Sequence, residues 1–540
     1  MKTYMYPSHS ALLPAKLLLL IGTLLGLGAR AETIQTEICV FGGTSAGVIA
    51  AVQAAKMGHA VVVVEPGPHL GGMTSGGLGW TDIGNKAAIG GLARDFYQRL
   101  GRHYHKPEAW TFEPGVAERE FTALLHEAKV PVHLREKLAT ARMDGKRLIE
   151  LTTQSGRVFR ARMFIDATYE GDLMAKAQVS FFVGREANAL YGETLNGIRA
   201  RTPYHQFLVP VDPYVKPGDP TSGLLPFVQS VSFGQPGDGD QCVQAYNFRL
   251  CLTRNPTNRI PIDPPAHYDP AKYELLGRYF DALAASNKPV KLHDFLKIDM
   301  VTPEKSDINN EGPFSTDFIG HNYDYPNAAY ATRERIRAAH LDYIKGLLTY
   351  LATSPRVPAN VRTEMRTWGL CNDEFPDTGG WPHQMYVREA RRMISGYVMT
   401  EKNCRRVEIV ADSVGLAAYN MDSHNCRRLV RDGHVENEGD VQVAPMSPYP
   451  ISYRAIVPAA GQCENLLVPV CLSASHIAYG SIRMEPVFMI LGQSAAAAAA
   501  LALDEEVSVQ QLSYQKLRDH LLAVHQILDW NPPVSANPHK

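Results

Sequence analysis

The feature that most restricts this chain is a turn of small residues set between an apolar strand and an alanine-rich helix. Glu37 to Phe41 (EICVF) reads as the strand, Gly42 to Gly47 (GGTSAG) as the turn, and Val48 to Met57 as the helix, capped by Gly58. Ala60 to Val64 (AVVVV) is apolar throughout, as a parallel strand buried on both faces is. Strand, turn, helix and strand of these lengths make a βαβ unit, which commits the chain to an α/β fold.

The turn has chemical meaning because backbone amides, not side chains, hold phosphate. A tight turn at a strand end brings a pyrophosphate onto free N–H groups and the positive end of the helix dipole, and only residues without bulk allow the approach. Gly42, Ser45, Ala46 and Gly47 meet that need, with Gly43 and Thr44 completing the turn. Thr44 stands where G-x-G-x-x-G has its middle glycine. Glu65 ends the next strand, 18 residues after Gly47, where a carboxylate accepts hydrogen bonds from an adenosine ribose. An acid there disfavours a 2′-phosphate, so FAD or NAD fits better than NADP.

The following loop, Pro66 to Trp80 (PGPHLGGMTSGGLGW), separates those two. Two glycine pairs with small hydroxyl residues between them let the main chain pass close to a ligand that continues beyond the pyrophosphate. A ribityl chain and isoalloxazine require this and a nicotinamide does not, so FAD is the expected cofactor. Gly43 to Gly47 (GTSAG) also matches the Gly-x-Ser-x-Gly nucleophile elbow, with Ser45 as nucleophile. It lies on the first strand of the mature chain, whereas an elbow follows several strands. Only the phosphate use explains Glu65 and the glycine loop.

These segments resemble the bacterial FAD-dependent oxidoreductase family, within the glutathione-reductase-like and succinate-dehydrogenase-like flavoproteins. The resemblance runs through FGGTSAGVIAA (Phe41 to Ala51), LGGMTSGGLG (Leu70 to Gly79), FIDATYEGDLMAKA (Phe164 to Ala177), DINNEGPFSTDFIG (Asp307 to Gly320), YVREARRM (Tyr386 to Met393), YNMDSHN (Tyr419 to Asn425) and His476 to Ala502. It implies that Gly42 to Gly47 hold the pyrophosphate and Glu65 the ribose, while Gly72, Met73 and Thr74 line the path to the flavin. It further implies that Ala167 and Thr168 end a strand at the cofactor, and that Leu134 offers backbone groups to adenine. Gly492, Gln493 and Ser494 match the start of the last helix, whose positive end would stabilise negative charge on reduced flavin.

The implied fold is a Rossmann-type FAD-binding domain assembled from N-terminal and C-terminal segments, with an inserted α+β substrate domain. Residues 1–31 are expected to be a signal peptide, 32–178 the first part of the FAD domain and 179–450 the substrate or cap domain. Residues 451–505 are expected to close the FAD domain, and 506–540 to form a C-terminal helix and tail. The signal peptide rests on Lys2 and Lys16, the apolar run Leu17 to Gly28, and Ala29-Arg30-Ala31 as a cleavage site. The mature chain is therefore expected to be exported, periplasmic or secreted, without a stable membrane span. The 540 residues carry a net charge of −1, which gives no basic field for nucleic acid. None of the eight cysteines forms Cys-x-x-Cys or stands at a zinc-type spacing, so no metal is expected.

The expected reaction is hydride transfer between a small organic substrate and flavin N5. Its acid or base is sought first in His424, then His476, with Arg388 and Arg454 as candidates to fix a carboxylate or an oxyanion. YVREARRM reads as a helix carrying Arg388 and Arg391; Asp422 shares a face with His424 only if its segment is extended. No second dinucleotide fingerprint follows, so electrons are expected to pass to oxygen, a quinone or a redox protein. The competing readings are a NAD-dependent dehydrogenase and an exported flavin-fold protein without catalysis.

Overall fold

The computed structural model describes residues 32–530; the expected signal peptide over 1–31 and residues 531–540 lie outside the described residues. The βαβ unit forms as β1 (Ile38–Phe41), α1 (Ser45–Lys56) and β2 (Val61–Glu65). Two further strands join them, β3 (Val132–Leu134) and β4 (Met163–Asp166). From far along the chain come β5 (Leu466–Leu467), α2 (His476–Ile482) and α3 (Glu485–Asp504).

The five strands make one parallel sheet in the order β5-β4-β1-β2-β3. Phe41 pairs with Val64 on one side and Asp166 on the other, so the C-terminal ends of the three central strands lie level at the turn. All four β1 residues are fully buried, and each large apolar side chain so buried contributes roughly 1.5–3 kcal/mol. The N-terminal and C-terminal parts of the chain thus share one sheet, and the result is a mixed α/β fold of Rossmann type.

α3 packs closely along α1 where small residues of the two helices meet. The run Ala495 to Ala500 is fully buried, and a Cβ on Gly492 would lie 2.9 Å from the backbone carbon of Ala46. By length and composition α3 is apolar enough to cross a membrane, yet 94% of its most apolar stretch is buried inside the chain.

A second five-stranded sheet is antiparallel, in the order Arg259–Ile260, Gly369–Cys371, Leu250–Thr253, Lys305–Asn310, Leu296–Met300. On it Cys251 and Cys371 bring their Sγ atoms to 3.5 Å. A long helix runs over Tyr330–Thr353, burying Ile344, Leu347, Leu348 and Leu351.

Two expectations from sequence fail. The last helix does not start at Gly492: Pro486 stands at its first turn and Glu485 opens it, seven residues earlier. The segment Tyr386 to Met393 is extended, with Tyr386 bridged to Asn247 and Arg392–Met393 paired with Phe181–Phe182. Its helix-favouring composition yields to buried partners on two sides: Arg388 reaches Ala245 and Asp317, while Arg392 reaches Glu186.

Candidate functional site

The turn is tight for a reason visible in its glycines. Gly42 has φ +102°, and a Cβ there would sit 2.8 Å from the backbone of Ala167 and Thr168. A Cβ on Gly47 would run into the carbonyl oxygen of Gly42. Thr44 caps α1, accepting from the Gly47 amide at 3.3 Å and donating to the Ala167 carbonyl at 2.7 Å. Thr44 in the middle position thus serves as the cap, and the first-turn amides of Ser45 and Ala46 have no carbonyl one turn back within the helix.

Glu65 lies across the mouth of the turn, accepting from the amides of Gly43 (2.6 Å) and Gly67 (2.5 Å). Burial pushes its carboxyl up to about 7 against the pull of those amides. Leu134 pairs with Glu65 at the sheet edge. Beside them opens a cavity of about 440 Å³, lined by Thr44, Glu65, Gly72, Thr168 and Tyr169 among others. A turn and loop packed so closely at Gly42, Gly47 and Gly72 that a Cβ there would meet the protein's own atoms, a free helix start and a carboxylate at the end of the next strand are what FAD requires of a protein. The residues present fit it.

The loop after Glu65 ties this cradle to the rest of the site. Tyr169 accepts from the Met73 amide (2.8 Å), and a Cβ on Gly72 would meet the Tyr169 hydroxyl. Ser45, Thr74 and Tyr169 all donate to the buried carboxylate of Glu485, at 2.6, 2.6 and 2.7 Å. One acid at the start of α3 therefore joins the turn, the glycine loop and the end of β4. Further along, the amides of Gly79 and Trp80 donate to Asp307, which also takes both Nε and Nη2 of Arg249 at 2.8 and 2.7 Å.

By contrast, Gly492, Gln493 and Ser494 sit in the interior of α3. Gly492 packs on Ala46, Gln493 bonds the Leu92 amide and Gln53, and Ser494 donates to the Val414 carbonyl. The helix start that faces the cradle belongs to Glu485.

Two residues before Glu485, Arg483 enters a second cluster, a closed ring of buried groups. Its Nη2 donates to Asp422 at 2.8 Å and its Nη1 to the Tyr386 hydroxyl at 3.0 Å. Asp422 Oδ2 lies 3.6 Å from His424 Nε2, and His424 Nδ1 lies 2.7 Å from Asp317 Oδ2. Asp317 Oδ1 is 3.1 Å from Arg388, whose guanidinium lies 4.6 Å from the centre of the Tyr386 ring. Asp422 belongs to the strand Met421–Ser423, and that extended backbone turns it and His424 toward one another.

The ring sets the state of His424. A carboxylate can only accept, so Nδ1 carries the hydrogen toward Asp317, and Nε2, 3.6 Å from Asp422, carries one toward that second acid when the imidazole is protonated. Burial and Arg388 push the imidazole down, but Asp317 and Asp422 outweigh them and hold it above its ordinary value. Asp422 is pulled down to about 2: burial opposes the shift, and His424, Arg483 and Arg388 overcome it.

The remaining candidates fall elsewhere. His476 is buried with both nitrogens engaged, Nδ1 on Glu389 (2.8 Å) and Nε2 against Ser423 Oγ (3.0 Å). Arg454 lies at the surface, its side chain half exposed, on Asp412 at 2.9 Å. Two groups of metal-type side chains come together. In one, Glu113, Asp373 and Glu374 surround the ammonium of Lys305 at 2.7–2.9 Å. In the other, His69, Glu118 and His383, the two nitrogens of His69 are taken by Glu118 and Asp377 at 3.0 and 2.9 Å.

Sequence reasoning missed Glu485, Tyr169, Asp317, Tyr386 and Arg483. Glu485 had a signal, a lone acid before Pro486 inside an apolar segment; Asp317 lay in a segment already singled out, without any mark of its role.

The family model described as FAD dependent oxidoreductase matches residues 37–521. No curated protein matches the chain. Among solved structures it is similar to a 3-ketosteroid-Δ4-(5α)-dehydrogenase from Rhodococcus jostii RHA1 in complex with 4-androstene-3,17-dione, at 15% identity over 28% of this chain and 50% of that one, TM-score 0.20. It is also similar to a flavoprotein/dehydrogenase from Cytophaga hutchinsonii (15% identity, 28% and 44% covered, TM-score 0.21). A third is the bacillithiol disulfide reductase from Staphylococcus aureus (15% identity, 25% and 38% covered, TM-score 0.19). The chain spans half or less of the length of these structures, and likeness at such scores carries no argument about this chain. The family match covers nearly the whole described chain and agrees with the cradle: the chain belongs to the FAD dependent oxidoreductase family, and its cofactor is FAD.

Proposed function

We propose that the chain oxidises or reduces a small organic substrate at the ring of Asp317, His424, Asp422, Arg483, Tyr386 and Arg388. Bound FAD supplies the acceptor or donor of hydride at N5. Gly42 to Gly47 would hold its pyrophosphate, Glu65 its adenosine ribose, and Gly72 to Thr74 with Thr168 the path between. The observation that carries the reading is His424, whose Nδ1 is fixed by Asp317 at 2.7 Å while Nε2, 3.6 Å from Asp422, makes no hydrogen bond among the described residues. That is the arrangement of a general base whose tautomer is set by a buried acid. In the oxidising direction Nε2 takes the proton from the substrate heteroatom as the hydride leaves carbon; in reduction the protonated imidazole returns it. The neighbouring Arg483 bonds Asp422 and lies two residues before Glu485, which supports a base on the side of the helix start that closes the cradle.

The finer organisation supports the same reading. Residues 32–178 and 451–505 are proposed as the two parts of the FAD domain, with 179–450 as the substrate domain and 506–540 as the closing helix and tail. The basic, apolar and small-residue order of residues 1–31 supports export. In that setting electrons would pass to oxygen, a quinone or a redox protein. Flavin-loaded protein screened anaerobically against alcohols, amines, carboxylic acids and unsaturated compounds should bleach with one class, and His424→Ala should bleach far more slowly. Bleaching by NADH as fast as by any organic substrate contradicts the proposed acceptor.

A further inference from the structure

The ring around His424 holds donors with no acceptor, and what they call for rests on reading the ring as the substrate site. Arg388 has a fully buried side chain. Its Nη1 donates to the Ala245 carbonyl and lies near Asp317, but Nε and Nη2 have no partner among the described residues. Those two N–H groups form one edge of the guanidinium, the edge that takes a carboxylate side-on with two parallel bonds. The molecule uses that same edge elsewhere: Arg249 on Asp307 at 2.8 and 2.7 Å, and Arg185 on Asp240 at 3.0 and 2.5 Å. Arg388 alone of these three leaves it empty.

Arg483 repeats the pattern. It engages both Nη atoms, and its buried Nε has no partner. Tyr386 lies between the two guanidinium groups, at 4.6 and 5.6 Å from its ring centre. A buried guanidinium edge without an acceptor is costly to leave unpaired, so an interior of this kind is built around something that accepts. Arg388 and Arg483 face Asp317 and Asp422, with Asp82 also acting on Arg483, and His424 stands between the first two acids. The unpaired guanidinium edge is a set of cationic donors only, and that is what selects an anion.

We propose that Arg388 anchors the substrate and that the substrate carries a carboxylate. The carboxylate would meet Nε and Nη2 side-on beside Arg483 Nε, leaving the substrate's reacting carbon and its heteroatom toward His424 Nε2. Tyr386 would form one wall of the pocket. The donors are rigid, dry and paired, which suits a planar anion better than a hydroxyl or an amide.

The test uses the mature, FAD-loaded protein titrated with acetate, malonate and benzoate, each against its amide. Two readouts run in parallel, the visible flavin band and the thermal midpoint. At least one carboxylate should shift both while its amide shifts neither. Arg388→Gln and Arg388→Lys should keep the FAD content of the wild type and weaken carboxylate binding roughly tenfold to a hundredfold. Amides binding as tightly as their acids, or carboxylates binding Arg388→Gln as tightly as wild type, would overturn the anchor while leaving the proposed base at His424 standing. Loss of FAD from folded Arg388→Lys would overturn it by assigning the edge to the cofactor. A wild-type chain that takes up no FAD would overturn the site as a whole.

Discussion

His424 Nδ1 and Asp317 Oδ2 stand 2.7 Å apart in the protein interior, and the other nitrogen of that imidazole has no hydrogen-bond partner among the described residues. Asp317 comes from a loop and His424 from the end of a strand more than a hundred residues later, so only the fold brings them together. Replacing Asp317 by Asn keeps the shape but presents an amide that can donate, which favours the wrong tautomer. Asp317→Asn should lower kcat for the substrate identified in the screen by about a hundredfold or more, with FAD content unchanged. Anaerobic stopped-flow reduction checks this.

The pH dependence follows from the same pair. Burial and Arg388 lower the affinity of His424 for its proton, and Asp317 and Asp422 raise it further, leaving the group above its ordinary 6.5. A base must be unprotonated, so kcat/KM for substrate oxidation should rise with pH through a value above 6.5 and then level off. Removing Asp317 takes away a charge that raises the value, so in Asp317→Asn the rising limb should move to lower pH. A limb that stays in place assigns the titration to another group.

At the cradle, Gly47→Ala puts a methyl group into the Gly42 carbonyl. The helix and the turn must separate, which displaces the amides that would meet the pyrophosphate. The variant should lose FAD on gel filtration and unfold at a lower temperature than wild type. Gly396→Ala, where nothing lies within 4 Å of the added carbon and φ, as at Gly47, is not positive, is the control for adding a methyl group to a glycine. It should keep its FAD.

Glu485 accepts three hydroxyl donors from three different segments. Glu485→Gln presents one acceptor oxygen in place of two and adds a donor among donors. The variant should lose about 1–3 kcal/mol of stability, read from denaturant midpoints, and bind FAD more weakly because Ser45, Thr74 and Tyr169 are released together.

How much of this was legible depends on the range of the interactions. The βαβ unit was readable because strand apolarity, the small-residue turn and Glu65 are local, and they act within 28 residues, Ile38 to Glu65. Thr44 looked like a defect in the glycine pattern and proves to be the helix cap. The last helix was started too late because the alanine run was a louder signal than Pro486. Tyr386 to Met393 carried helix-forming residues, yet tertiary ion pairs hold it extended. Arg454 and His476 could not be told from His424 in sequence, since burial and partners alone separate a surface pair and a fully bonded imidazole from one with a free nitrogen.

The most direct measurement is a crystal structure of residues 32–540 with FAD bound. The account expects the pyrophosphate on the amides of Gly42 to Gly47, the ribose on Glu65, and the tricyclic ring between the Gly72–Thr74 loop and the start of α3 at Glu485, with His424 Nε2 and the open edge of Arg388 facing its reacting side. A flavin bound in the cradle but with its ring turned away from His424 and Arg388, against some other group of residues, would contradict it.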